Sequence, residues 1–77
     1  MSNYSFTVVI QKEPEDDGYL AYVPGLPGCN SGGLTVEEAR ANIQEALQGF
    51  VEMLKAHGDP IPAGDLPIYV EEIKIAA

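Results

Sequence analysis

With one cysteine and one histidine in 77 residues, this chain lacks the paired thiols and clustered soft ligands that brace many very small domains. Cys29 has no partner for an intrachain disulfide, and neither Cys29 nor His57 sits in a metal-ligand spacing, so no metal and no cofactor is expected. Basic side chains are equally scarce: four Lys and Arg stand against twelve Asp and Glu, a formal net charge of −8. Such a surface repels nucleic acid and anionic membranes and attracts basic partners. It also keeps a protein in solution, and composition does not choose between the two uses. No apolar run approaches the roughly 20 residues of a membrane span. Residues 1–7 lack the basic-then-apolar pattern of an export signal. Together with an unpaired cysteine, this points to the cytoplasm. A chain this short forms one domain, here residues 1–77, and buries only about 60% of the surface its unfolded form exposes. With disulfide and metal excluded, self-association is the expected source of further stability.

What is present reads as strands followed by a helix. In residues 4–11, Tyr4, Phe6, Val8 and Ile10 share one face, which predicts a strand. Pro14 and Asp17-Gly18 break it, and Tyr19 to Val23 read as the returning strand of a hairpin with an acidic tip. Residues 24–28, Pro-Gly-Leu-Pro-Gly, form a proline-stiffened loop. Residues 29–33 follow as an irregular third strand weakened by glycine. Thr35 and Glu38 have capping-box spacing. Val36, Ala39, Ile43, Ala46, Leu47, Phe50, Met53 and Leu54 then recur at helical intervals up to Gly58 and Pro60. A helix of about 22 residues spans roughly 33 Å. Residues 59–67 read as a loop and residues 68–75 as a last strand, with Ile68 and Val70 on one parity and Ile73 and Ile75 on the other. The expected fold is α+β, a small antiparallel sheet of three to four strands packed on one long helix in the order β-β-β-α-β.

The chain carries few residues suited to catalysis. His57 suits the negative end of a helix dipole better than it suits a general base with no partner. Cys29 reads as a small buried hydrophobe. Glu13, Glu15, Asp16 and Asp17 lack the spacing of a hard-metal loop, which leaves a solvated turn or a negatively charged contact patch as two open readings. No phosphate-cradling loop and no basic, aromatic-rich RNA surface is present. No catalytic residue is assigned.

Pro24, Leu26, Pro27, Gly28, Cys29, Gly33, Thr35, Glu38, Ala39 and Asn42 together carry a resemblance. A P-x-L-P-G-C stretch leading into G-x-T-x-x-E-A-x-x-N resembles the HicB-like antitoxin family. With the preceding hairpin and the last strand, the likeness covers nearly the whole chain. It implies a partial ribonuclease H-like fold, also described as double-stranded-RNA-binding-like, without that enzyme's set of catalytic carboxylates. It implies binding and inhibition of a small basic HicA-type toxin that cleaves mRNA. The expected partner-binding residues are Glu13, Glu15, Asp16 and Asp17 for electrostatic steering, with Tyr22, Pro24, Leu26 and Pro27 for shape. Gly28, Cys29, Gly33, Thr35, Glu38, Ala39 and Asn42 have structural work within the motif. Many members of the family carry a further DNA-binding domain. None is expected here, nor is direct nucleic-acid or membrane binding. A homo-oligomer, dimer or tetramer, is expected through a strand edge or the helix surface around Val51. The rival reading is a stand-alone oligomeric regulatory or ligand-binding domain without a toxin. A vestigial metal-dependent nuclease is disfavoured, because no convergent carboxylate set can be named.

Overall fold

In the computed structural model, residues 4–62 and 67–77 are described. Part of the loop expected over 59–67 therefore lies outside the described residues. Three strands, β1 (Val9–Lys12), β2 (Tyr19–Tyr22) and β3 (Asn30–Gly33), are followed by one helix, α1 (Val36–His57). The sheet is an antiparallel meander in the order β1-β2-β3, as the strand-then-helix pattern predicts. Ile10 lies opposite Ala21, and Ala21 opposite Ser31. Alternate residues share a face, so Val8, Ile10, Ala21 and Val23 all belong to the side that carries the helix.

The first strand is shorter than its alternation predicts. Pairing starts at Val9: β2 ends at Tyr22, the Val23 N–H points to the β3 side and reaches Cys29 O at 3.1 Å, and Pro24, the next residue turned toward β1, has no N–H to donate. Residues 4–8 lie ahead of the strand, and Phe6 and Val8 pack against the core. The glycine-containing third strand does form. A Cβ on Gly33 would stand 2.7 Å from Ala39 N, so its glycine lets the helix approach the strand backbone.

Helix α1 begins and ends where its sequence signals lie. Thr35, extended at φ −130° and ψ 164°, accepts the Glu38 N–H on Oγ1 at 3.0 Å. Gly58 takes the left-handed conformation at φ 73°, and its N–H reaches Lys55 O while that of Asp59 reaches Leu54 O. Lys55 and His57 occupy the last turn, where positive charge is favoured. Asn42 Nδ2 donates to Gly32 O at 2.7 Å and pins the helix across β3.

The core consists of Ala21, Val23, Leu26, Cys29, Ala39 and Ile43, with Phe6, Ile10, Leu47 and Phe50 among the half-buried residues against it. At roughly 1.5–3 kcal/mol for a fully buried large aliphatic side chain, Val23, Leu26 and Ile43 are its principal contributors. A helix of about 33 Å outruns strands of about 13 Å. Its second half reaches past the strands, with Leu47, Phe50 and Leu54 still against the core and Met53 left exposed.

One expectation needs correction. Residues 68–75 do not join the sheet: residues 67–77 form no regular element, and Tyr69, Val70, Ile73 and Ile75 are 75–87% exposed. Glu71 and Glu72 split the apolar residues between the two parities, so no single face is uniformly apolar. The Cα radius of gyration is 14.7 Å, above the roughly 11.5 Å expected for a compact chain of this length.

Two alanine substitutions should move stability in opposite directions. Gly33→Ala forces a methyl against the helix backbone and should cost about 2 kcal/mol or more. Gly49→Ala, in a helix position with open space around it, should stabilise by roughly 0.5–1 kcal/mol. Urea unfolding of both variants measures this. A Gly33→Ala variant as stable as the parent would show that helix and strand are not in close contact.

Candidate partner-binding surface

The acidic turn between β1 and β2 holds one shape through its own backbone and side chains. Glu13 N–H donates to Gly18 O at 3.0 Å and closes the loop. Gly18 N–H donates to Asp16 Oδ1 at 3.1 Å, an Asx-type turn that commits one carboxylate to structure. Lys12 Nζ donates to the carbonyls of Glu13 and Asp16 and lies 5.7 Å from the centre of the Tyr19 ring. Glu15 and Asp17 are exposed, whereas Glu13 is half-buried. Among the described residues, no group of three or more His, Cys, Asp or Glu is placed to hold a metal ion.

The second set of expected contact residues, in the β2–β3 connection, is built differently. Leu26 N–H donates to Val23 O and Cys29 N–H to Leu26 O, both at 3.0 Å. Gly28 has φ 93°, a left-handed conformation that a side chain would strain. These bonds turn Val23, Leu26 and Cys29 into the core. Leu26, expected at the contact surface, is 3% exposed and anchors the loop from inside. Pro24 and Pro27 are exposed, and Tyr22 is half-buried on the sheet face away from the helix, opposite Val9.

The meander keeps these two sets apart. Successive turns of an antiparallel sheet fall at opposite ends, and β2 spans roughly 14 Å between them. The acidic turn and the proline loop are therefore two patches. The motif residues Gly33, Thr35, Glu38, Ala39 and Asn42 form neither patch. They make the seam between β3 and α1, where Ala39 is fully buried.

One feature is not visible in the motif. Helix α1 packs chiefly over β3 and β2, which leaves an apolar groove of about 570 Å³ beside β1, lined by Val8, Ile10, Val36, Arg40, Ile43, Gln44 and Leu47. A smaller groove continues from it between Tyr4 and Phe6 on one side and Leu47, Val51 and Lys55 on the other. The available signal was the width of the helix's apolar stripe, more than a sheet of four-residue strands can cover. Val51 is half-buried in this second groove.

A three-stranded meander backed by one helix is the architecture of an antitoxin's N-terminal domain. The crystal structure of that domain from Burkholderia pseudomallei HicB superimposes with a TM-score of 0.71 at 31% identity, covering 80% of this chain and 72% of that one. Residues 6–74 match the profile of the HicB-like antitoxin of bacterial toxin–antitoxin systems, and the chain belongs to that family. Similar sequences include a UPF0150 protein of Synechocystis sp., 48% identical over 82% of this chain and 78% of its own length. Another, from Thermoplasma acidophilum, is 43% identical over 94% of this chain and 97% of its own length. The family gives the chain a toxin–antitoxin role. No helix among the described residues is long and apolar enough to cross a membrane.

Burial pushes the Cys29 thiol above its ordinary value of 9.0. The folded state thus holds this proton more tightly than the unfolded state. The resulting stability is intact below about pH 9 and falls as pH rises beyond it. Alkylation of native protein at pH 8 should run at least about a hundredfold slower than in urea. Equal rates would place the thiol at the surface. Cys29→Ala should remove this share of the loss of stability above pH 9.

Proposed function

We propose that this chain is the non-enzymatic half of a toxin–antitoxin pair. It captures a small basic HicA-type toxin in the cytoplasm and prevents it from cleaving mRNA, acting as a homo-oligomer and without a cofactor. The observation that carries this reading is a charge of −8 with Glu15 and Asp17 exposed on an ordered turn, in a chain of the HicB-like family. A protein that grips RNA phosphates presents Lys and Arg, and a surface of opposite sign meets it. The turn steers the encounter, because its carboxylates act over roughly a Debye length of 8 Å at physiological salt. Tyr22, Pro24 and Pro27 at the other end of β2 supply apolar contact. The same charge disfavours operator DNA, so any transcriptional control falls to a partner.

Co-purification with a short basic protein encoded beside this chain is the direct test, joined to an RNA-cleavage assay of that protein with and without the chain. A stable complex that abolishes cleavage supports the proposal. Uninhibited cleavage rejects it. Charge reversal tests the steering role. Asp16 accepts a turn hydrogen bond, so the informative double variant is Glu15→Lys with Asp17→Lys. Association at low salt should slow by roughly tenfold or more, and the difference should shrink at high salt. An unchanged rate at low salt removes the turn from the encounter surface.

A further inference from the structure

Asp17-Gly18 is the one place in the sequence where an Asp or Asn precedes glycine. A backbone rearranges most readily at such a pair, because glycine has no side chain to shield its nitrogen from the preceding carboxyl group. The Gly18 nitrogen attacks Asp17 Cγ, a C–N bond forms, and the amide proton and the carboxyl hydroxyl leave as water. The product is a five-membered cyclic imide. Water then returns to one of the two ring carbonyls. Opening at Cγ restores aspartate. Opening at the backbone carbonyl leaves the chain running through Cβ and Cγ, an isoaspartate with one extra methylene in the backbone. One water leaves and one returns, and nothing is oxidised or reduced.

The reaction needs an accessible carboxyl group, a nitrogen that can lose its proton, and freedom for that nitrogen to swing toward Cγ. Asp17 is exposed and meets the first need. The neighbours of Gly18 deny the other two. Its N–H donates to Asp16 Oδ1 at 3.1 Å. A carboxylate in that place favours the protonated amide over the anion that attack requires. Its carbonyl accepts the Glu13 N–H at 3.0 Å. Gly18 itself is buried, and one carbon added to it would stand 3.1 Å from Gly33 O. The nitrogen, the carbonyl and the α-carbon are thus held by three different residues. We infer that Asp17-Gly18 is a site of isoaspartate formation that the folded turn keeps closed, with the Asp16 carboxylate as the group that closes it. The reaction runs in chains whose turn has opened and stops in chains whose turn is made.

The product cannot rebuild the turn. An extra methylene between Asp17 and Gly18 moves the Gly18 nitrogen away from Asp16 Oδ1 and disturbs the register in which Lys12 meets Tyr19. Time spent unfolded therefore leaves a covalent mark on the acidic turn. Neither a toxin nor self-association enters this chemistry.

Peptide mapping with electron-transfer fragmentation distinguishes isoaspartate from aspartate at position 17, and the imide registers as the loss of one water. At neutral pH the full chain should form isoaspartate at least about tenfold more slowly when native than in urea. Asp16→Ala should raise the native rate roughly tenfold, the effect of losing one hydrogen bond to a charged group. It should speed hydrogen exchange of the Gly18 amide in step and leave the rate in urea unchanged. Asp16→Asn keeps an oxygen acceptor for the turn and should raise the native rate by a smaller factor. Glu15→Ala, at an exposed neighbour, should change neither rate. Equal rates in native and unfolded parent chain overturn the inference. So do native rates in both Asp16 variants that match the parent's, and rates below it would make Asp16 a base that assists the attack.

Discussion

The whole structure depends on how closely α1 lies against the backbone of β3. Gly33 leaves no side chain between the two, Ala39 fills the contact with a single methyl, and the Asn42 amide ties the helix to Gly32 O at 2.7 Å. This seam decides where the helix is, and the position of the helix decides what else is covered. Drawn over β3 and β2, it buries Ile43 against Ala21, Val23 and Leu26 and leaves the flank of β1 bare. A larger residue at position 33 or 39 would lift the helix and spread the same apolar area more evenly. The domain instead has a tight side and an open side.

That asymmetry separates the duties of the sequence. The residues that mark the family, from Pro24 to Asn42, are spent on the seam and on the loop that feeds it. Every one of them can be explained by packing, capping or backbone conformation. Of the contacts proposed above, the acidic turn lies outside the motif, and only Pro24 and Pro27 belong to it. A motif of this kind identifies the fold and says little about the partner, so members can share the seam while differing in what they bind.

The sequence was most legible where one residue type has one physical use. Thr35, Gly58 and the apolar spacing between them located the helix to within a residue. Asp17-Gly18 and the two prolines located the turns. The sheet was legible in order but not in extent, because the length of β1 is limited by its partner: β2 stops at Tyr22, and Pro24, the next residue turned toward β1, has no N–H. Leu26 was misplaced for a related reason. A leucine between proline and glycine reads as a loop tip, and only the bonds that fold this loop inward show it as core. The two contact sets could not be assigned to opposite ends of β2 until the meander was known. The last strand had the right composition for pairing, but pairing also needs a reachable partner, which periodicity does not report.

Lys12 gives the acidic turn a property that its composition hides. Its ammonium is held by the carbonyls of Glu13 and Asp16 and by the face of Tyr19. The turn therefore carries a built-in counterion. Four carboxylates crowded on seven residues would otherwise repel one another and recruit a mobile cation from solution, more so as salt is diluted. One ammonium fixed from within offsets one of the four carboxylate charges and leaves the turn negative. An arriving basic surface then has fewer bound ions to displace at that spot, and the entropy gained from releasing such ions is correspondingly smaller.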